Sequence, residues 1–217
     1  MKKLTLLLIF VLPISIFGEY QAKNFYHLVG MPGFSDELLT MHFKLYEGYV
    51  KNTNQLISKM NALEENGQAR SADYCGLKRM FGFEYDGMRL HELYFENLGG
   101  KEALPAKSSL YLQIVKDFGS YENFTTNLKD VGMFRGVGWV ILYFDPDANR
   151  LFNVWVNEHN VNELVKCEII LAMDVWEHAY LIEYKLDRGQ YIDAFIKNIN
   201  WNLVNNRFDK AKSPSCM

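Results

Sequence analysis

The strongest constraint on the fold is a change of residue pattern near the middle of the chain. From residue 35 to about residue 63, apolar side chains recur three and four positions apart, as on one face of a helix. The run Glu64–Gly67 then interrupts the pattern, and a second helical stretch follows from about residue 71 to 98. Gly82 and Gly87 are expected to divide this second stretch into two helices. The first half therefore predicts a long helical hairpin.

The second half has a different pattern. Helical spacing over 109–118 and 121–129 gives way to two β-rich runs, 140–144 and 151–156, which a turn joins into a hairpin. Residues 167–173 are a third candidate strand, and helical stretches at about 177–186 and 191–208 close the chain. This order predicts an α+β fold. We expect an N-terminal helical hairpin domain over residues 19–100. A C-terminal α/β domain over residues 101–217 would contain a small three-stranded antiparallel sheet.

The first 18 residues predict a secretory signal peptide. Lys2 and Lys3 precede a 14-residue apolar run that ends before the small residue Gly18. A membrane-spanning helix needs roughly 20 apolar residues, so the run is short for an anchor, although an uncleaved anchor is the alternative. We therefore expect an exported chain, periplasmic or secreted, with no membrane attachment after cleavage.

Composition and charge exclude several classes of partner. Apolar residues make up 49% of the chain and charged residues 23%, the balance of a protein that buries a core. The formal net charge is −3, and cleavage would remove two lysines and no acid, so no nucleic-acid partner is expected. The three cysteines, Cys75, Cys167 and Cys216, form no CxxC or Cys/His zinc pattern. Whether Cys75 and Cys167 pair is open.

One short segment has the residues for metal chemistry. Asp174 and His178 stand four residues apart just after the third candidate strand, so both side chains can point at one centre. A carboxylate together with imidazoles suits a first-row transition metal. An aspartate and a histidine four residues apart occur by chance in many chains. The neighbouring residues therefore decide whether this pair is a metal site.

Those neighbours resemble the iron/manganese superoxide dismutase family. The segment Asp174-Val-Trp-Glu-His-Ala-Tyr180 is similar to that family's signature, and Gly136-Val-Gly-Trp139 is similar to another of its motifs. Weaker matches surround His91 and Tyr49, and the likeness covers nearly all of residues 35–208. The resemblance implies one iron or manganese ion per chain, held by three histidines and one aspartate. It also implies superoxide as the substrate and a homodimer.

Three of the implied ligands follow from the matching segments: His91, Asp174 and His178. For the fourth, an ungapped alignment anchored on Tyr49 places Met41 at the family's first histidine, and His42 is the next residue. The family's eight-residue step to the tyrosine turns through about 80° and needs a π-type bulge. The seven-residue step from His42 lands within about 20° of one face of a regular helix. We favour His42 as the ligand. The alternative is a solvated His42 beside a buried Met41.

Four residues resemble the family's catalytic surroundings: Tyr49, Trp176, Glu177 and Arg188. Tyr49 matches the gateway tyrosine, and Trp176 with Trp139 matches the aromatic walls of the site. Glu177 resembles the acid that reaches the ligand histidine of the partner subunit. Arg188 resembles the arginine at the substrate funnel, where Lys44 would add further positive charge to attract an anion.

Other positions depart from the family pattern. The family places a glutamine near the metal-bound solvent from one of two positions, which correspond here to Gly87 and Arg135. Arg135 either lies near that solvent or points away and pairs with an acid. The family also has a histidine and a tyrosine that bridge two subunits. The histidine corresponds here to Leu45, or to Tyr46 if one residue is deleted, and the tyrosine corresponds to Leu181.

Two histidines match no ligand position and are expected at the surface: His27 and His159. The sequence thus predicts an enzyme that converts superoxide to dioxygen and hydrogen peroxide at a mononuclear iron or manganese site. The alternative is a metal-poor relative that acts as a binding or structural protein. A third possibility is a metalloenzyme that catalyses a different oxidative reaction at the same site. The sequence does not decide whether the metal is iron or manganese, or whether the protein is a dimer or a tetramer.

Overall fold

The computed structural model describes residues 18–213, so the predicted signal peptide before Gly18, and Cys216, lie outside the described residues. The first half is a hairpin of two long helices, α1 (Asp36–Glu65) and α2 (Ala72–Glu96). Each begins after a serine, Ser35 or Ser71, whose hydroxyl accepts a hydrogen bond from a backbone N–H in the first turn. The helical hairpin predicted from the sequence is confirmed.

The expected division of the second helical stretch is wrong. Helix α2 runs without a break past Gly82 and Gly87. Each interior glycine costs about 1 kcal/mol relative to alanine, and the packing of α2 against α1 and the sheet offsets this cost. Gly87 lies where two helices approach closely, because a Cβ there would lie 2.7 Å from the ring of Tyr49. This glycine therefore marks a tight contact and not a helix end.

The second half holds two helices, three strands and a closing set of helices. Helices α3 (Ser109–Phe118) and α4 (Tyr121–Gly132) precede strands β1 (Gly138–Asp145), β2 (Arg150–Asn157) and β3 (Glu168–Asp174). The strand order is β2-β1-β3 and both pairings are antiparallel, which confirms the predicted three-stranded sheet and the α+β class. The register pairs Trp139 with Asp174, so the start of β1 lies beside the end of β3.

The closing helices are more divided than the sequence predicts. A 3-10 turn (Glu177–Ala179) leads to α5 (Leu181–Tyr184), α6 (Arg188–Lys197) and α7 (Trp201–Lys212). The predicted stretch 191–208 breaks at Asn200, whose side chain accepts a hydrogen bond from the N–H of Leu203. Its own N–H donates to the carbonyl of Asn97 over 2.6 Å. Asparagine side chains compete in this way with continuous helix, and a new helix starts here.

A single hydrophobic core runs through both halves. At its edge, the amide of Asn97 at the end of α2 donates to the carbonyl of Ala172 in β3 over 2.9 Å. In residues 18–213 no helix combines the length and apolarity needed to cross a membrane. Within residues 18–213, the thiols of Cys75 and Cys167 form no disulfide, and in particular do not pair with each other. The division of the chain into domains at residue 100 stays a prediction.

Candidate metal centre

Four side chains from both halves of the fold converge on one buried point. They are His42 from α1, His91 from α2, Asp174 from the end of β3 and His178 from the following 3-10 turn. One ligand atom from each lies within 4.8 Å of the others. The sheet register supplies Asp174, and the 3-10 turn returns His178 toward the same place four residues later.

The three imidazoles share a single carboxylate oxygen. The Nε2 atoms of His178, His42 and His91 lie 3.1, 3.2 and 3.5 Å from Oδ2 of Asp174. The other oxygen of Asp174 accepts a hydrogen bond from the backbone N–H of Trp176 over 2.8 Å. One carboxylate oxygen is therefore fixed by the protein, and the other faces the histidines.

The hydrogen bond at the far side of His91 fixes its tautomer. Nδ1 of His91 lies 2.6 Å from the carbonyl of Gly87, which can only accept, so Nδ1 carries the proton and Nε2 has a free lone pair. Nε2 is fully buried and has no hydrogen-bond partner among the described residues. Burial lowers the pKa of His91 well below its usual range, which keeps the ring neutral. A neutral imidazole aimed into a polar cluster is suited to hold a metal ion.

Asp174 is held in its ionised form. Burial by itself would raise the pKa of this carboxyl, but the adjacent His178 and His42 outweigh burial and bring the pKa well below its usual range. The hydroxyl of Tyr191 donates to the backbone carbonyl of Asp174 over 2.6 Å and fixes the end of β3. The cluster thus combines one carboxylate with imidazole nitrogens, a donor set that suits manganese or iron.

The first histidine position is occupied by His42. Its side chain is buried, with 2% of the residue exposed, whereas Met41 is 51% exposed on the outer side of α1. Helix α1 is a continuous α-helix from Asp36 to Glu65 with no π-type turn. The straight helix therefore brings both His42 and Tyr49 to the inner face, as the seven-residue spacing predicts.

The prediction that His159 lies at the surface is wrong. This residue is fully buried beside the cluster, where the Nε1–H of Trp139 donates to its Nδ1 over 3.0 Å. Its Nε2 lies 2.7 Å from the hydroxyl oxygen of Tyr49, and its ring stacks on Trp176 with centres 4.8 Å apart. Burial lowers the pKa of His159 to about 4, so the ring is neutral. His27, in contrast, is exposed as predicted.

The inward position of His159 follows from the hairpin register, which the sequence pattern does not specify. Gly138 pairs with Asn157, so residues just after β2 lie beside Trp139. Glu158 then adopts a positive φ of 51°, which turns the chain and brings the next side chain inward. The strand pattern predicts the hairpin but does not specify this turn, and the inward histidine was therefore missed.

The two positions that correspond to the family's glutamine, Gly87 and Arg135, place no polar side chain in the cluster. Arg135 is exposed, and Gly87 contacts the ring of Tyr49. Tyr49 stacks on His91 with ring centres 5.1 Å apart. The space between Tyr49 and Trp139 is filled by His159.

A mostly apolar cavity of about 480 Å³ opens next to His42 and His178. Its other lining residues are Met41, Lys44, Leu45, Glu177, Leu181 and Ile182. Leu45 and Leu181 thus line this mouth, whereas Tyr46, which takes the place of the family's bridging histidine if one residue is deleted, is buried in the core. Glu177 is exposed there, and Lys44 provides the positive charge.

Arg188 is absent from the residues that line this mouth. Its guanidinium donates to the carbonyls of Phe134 and Gly136 over 2.6 and 3.2 Å, and to the hydroxyl of Tyr180 over 3.1 Å. These contacts hold the loop that leads into β1 and Trp139. The geometry therefore gives Arg188 a clear part in fixing this loop.

The fold and the cluster together define an α+β protein with a buried centre of three histidines and one aspartate. Comparison with known proteins agrees: residues 106–207 match the family described as iron/manganese superoxide dismutases, C-terminal domain. The chain is 39% identical to a superoxide dismutase [Fe] of Aquifex pyrophilus, over 83% of this chain and 87% of that protein. It is 32% identical to superoxide dismutase [Mn] 1 of Halobacterium salinarum, over 83% of this chain and 89% of that protein.

The chain belongs to the iron/manganese superoxide dismutase family. The resemblance inferred from its sequence motifs is thereby confirmed. Its relatives include iron and manganese enzymes, in agreement with the expected cofactor, iron or manganese.

Proposed function

We propose that this protein is a superoxide dismutase, which converts two superoxide anions and two protons into dioxygen and hydrogen peroxide. The observation that carries the proposal is the convergence of His42, His91, Asp174 and His178, with the buried Nε2 of His91 left for a metal. The ligand atoms would be the three Nε2 atoms and Oδ2 of Asp174. When bound, iron or manganese supplies one-electron chemistry, accepting an electron from one superoxide and returning it to another.

The residues around the centre can orient a proton toward it. Trp139 donates to His159, so the proton of the neutral ring lies on Nε2 and is directed at the hydroxyl oxygen of Tyr49. The oxygen of Tyr49 accepts this hydrogen bond, so the hydroxyl proton of Tyr49 points away from His159. Burial raises the pKa of Tyr49, so its hydroxyl stays protonated at neutral pH and can donate to bound substrate or solvent.

The apolar mouth provides the route to the centre. Leu45 and Leu181 limit the water that enters, and Lys44 is placed to attract an anion locally although the whole chain is acidic. We assign the capture of superoxide to Lys44. Arg188 acts on the centre indirectly, because it holds the loop that positions Trp139.

We also propose that two copies of the chain associate at the rim of this mouth, so that the second copy forms its outer wall and the opening beside Lys44 stays accessible to the anion. Met41, Leu181 and Ile182 are exposed apolar residues around the mouth, and a second copy would cover them. Glu177, exposed at the same place, is positioned to contact that copy. Export to the periplasm or the cell exterior is proposed from the amino-terminal segment, which lies outside the described residues.

Two features favour this proposal over a metal-poor relative. His42 and not Met41 faces the other ligands, and the buried His159 lies beside the cluster, with its Nε2 2.7 Å from the hydroxyl oxygen of Tyr49. The departure at Met41 is thus answered by His42, whereas the absent glutamine and the altered subunit-bridging residues still separate this chain from the family pattern.

The test is metal content and superoxide turnover of the purified full chain, supplied with iron and with manganese separately. We expect about one metal per chain, superoxide turnover, and loss of both in Asp174→Ala. Asp147→Ala, in the exposed turn between β1 and β2, is the matched control and should keep both. A chain that takes up neither metal would refute the proposal. Full metal without superoxide turnover would refute the dismutase and leave a different oxidative reaction at the same centre as the surviving alternative.

A further inference from the structure

We propose that the amino-terminal arm, residues 18–34, controls how long the centre retains its metal. The arm lies against α1 and α2, the helices that carry His42 and His91, and fixes one against the other. This inference rests on the proposed function because it concerns the same centre. Metal ligands depend on the groups that orient them, and loss of such a group commonly costs 10–100-fold in affinity.

The central contact is the hydroxyl of Tyr46. This buried residue lies one helical turn after His42 on α1. Its oxygen accepts a hydrogen bond from the backbone N–H of Lys23 in the arm over 2.9 Å, and its O–H donates to Oε1 of Glu92 over 3.1 Å. Burial raises the pKa of Tyr46 to about 12, so it remains a donor. One hydroxyl thus joins the arm, α1 and α2.

Glu92 is the residue directly after His91, and it is buried. Besides Tyr46, its carboxylate contacts the guanidinium of Arg89 over 2.8 Å and the ammonium of Lys23 over 3.3 Å. A buried carboxylate needs such partners, and removing one of several is less costly than removing all. The arm therefore completes the set of groups that hold Glu92.

A second path from the arm runs through aromatic rings. Phe25 packs against Tyr46 and Phe95 with ring centres 5.7 and 5.0 Å apart. Phe95 in turn packs against the imidazole of His42 at 4.9 Å. The back of the His42 ring is thus supported by a side chain that the arm covers.

The arm is tied down at its start as well. The backbone N–H and carbonyl of Tyr20 both bond to the side-chain amide of Asn54 on α1, each over 2.9 Å. The ring of Tyr20 lies 4.9 Å from the guanidinium carbon of Arg89 on α2. The arm thus bridges both helices at two places, and His42 cannot move away from His91 without breaking these contacts.

The experiment compares two tyrosine variants of the full chain. Tyr46→Phe keeps the ring and removes the hydroxyl. Tyr74→Phe is the matched control, because Tyr74 on α2 also donates to a glutamate of α1, Glu64, at the far end of the same hairpin. Each protein is loaded with Mn(II), mixed with excess EDTA, and followed for release of manganese. The melting temperature of each metal-free protein is measured in parallel.

We expect Tyr46→Phe to release manganese about tenfold faster than the unchanged chain. Tyr74→Phe should release it at the unchanged rate and should lower the melting temperature less, because Tyr74 is only half-buried and its hydroxyl has one partner. Lys23→Pro and Lys23→Ala both remove the ammonium that contacts Glu92, but only the proline also removes the backbone N–H, so Lys23→Pro should release manganese faster than Lys23→Ala. If Tyr46→Phe does not fold, the comparison of Lys23→Pro with Lys23→Ala tests whether the arm controls metal release.

Equal release rates in Tyr46→Phe and Tyr74→Phe, or in Lys23→Pro and Lys23→Ala, would overturn the role of the arm and leave the metal centre intact. If the unchanged chain binds no manganese or iron, the proposed function itself fails, and this inference fails with it.

Discussion

Trp139 donates a hydrogen bond from Nε1 to Nδ1 of His159 over 3.0 Å, and this contact fixes the tautomer of the histidine. An indole N–H cannot accept, so Nδ1 must carry the lone pair and Nε2 the proton. Nε2 then donates to the oxygen of Tyr49, 2.7 Å away. A residue fully enclosed in the core thus determines the direction of a hydroxyl at the metal centre.

His159→Leu should lower superoxide turnover by about 10–100-fold, because Tyr49 loses the donor that orients its hydroxyl while the four ligand side chains stay in place. The measurement is kcat per bound metal by stopped-flow decay of superoxide. The exposed His27 is the control, and His27→Leu should turn over at the unchanged rate. Unaltered turnover in His159→Leu would show that Tyr49 needs no such donor.

His42→Ala should reduce bound metal to a small fraction of one ion per chain, because the centre loses one of its four donors. Met41→Ala, the adjacent residue on the outer side of the helix, should keep a full complement. Both contents are measured on purified protein by elemental analysis. The opposite result, with Met41 required and His42 dispensable, would contradict the arrangement of α1.

His42 and His159 show what the sequence can and cannot predict. His42 was found because a helix has a fixed rotation per residue, so the spacing to Tyr49 alone decides which residue faces inward. His159 was missed because its direction depends on strand register and on the positive φ of Glu158, neither of which follows from local pattern. The unbroken α2 was missed for a related reason, since packing overrode the helix-breaking tendency of Gly82 and Gly87.

Gly87→Ala should destabilise the protein by about 1–3 kcal/mol and reduce turnover, because the added Cβ would lie 2.7 Å from the ring of Tyr49. Gly76 is the matched control on the same helix, where an added Cβ meets nothing within 4 Å. Gly76→Ala should stabilise by up to about 1 kcal/mol. Urea unfolding measures both. Equal shifts would mean that Tyr49 moves aside freely.

Leu181→Glu should shift the protein from dimer to monomer at micromolar concentration, because it places a charge on the apolar rim of the mouth, where the second copy is proposed to pack. Leu112→Glu is the control, since Leu112 is an exposed leucine on α3. Sedimentation velocity reports both masses. Dimers that persist in Leu181→Glu, or dissociate only in Leu112→Glu, would place the interface elsewhere.

Asp86 gives the fold a predictable dependence on pH. Burial, and then the charge of Glu163, raise the pKa of Asp86 from 3.8 to about 7. Between pH 4 and 7 the folded chain therefore holds a proton that the unfolded chain has released. The free energy of unfolding should fall as pH rises through this window, and should level off above pH 7.

Because Asp86 is only partly buried, solvent reduces the effect to about 1–2 kcal/mol. Asp86→Asn cannot ionise, so its unfolding free energy should exceed that of the unchanged chain at pH 7.5 and approach it at pH 4. Urea titrations of the metal-free proteins test this without interference from metal loss at low pH. Glu65→Gln, at an exposed position on α1, should keep the pH slope of the unchanged chain. If Asp86→Asn keeps that slope too, the slope comes from another group, such as Glu163, whose pKa burial also raises.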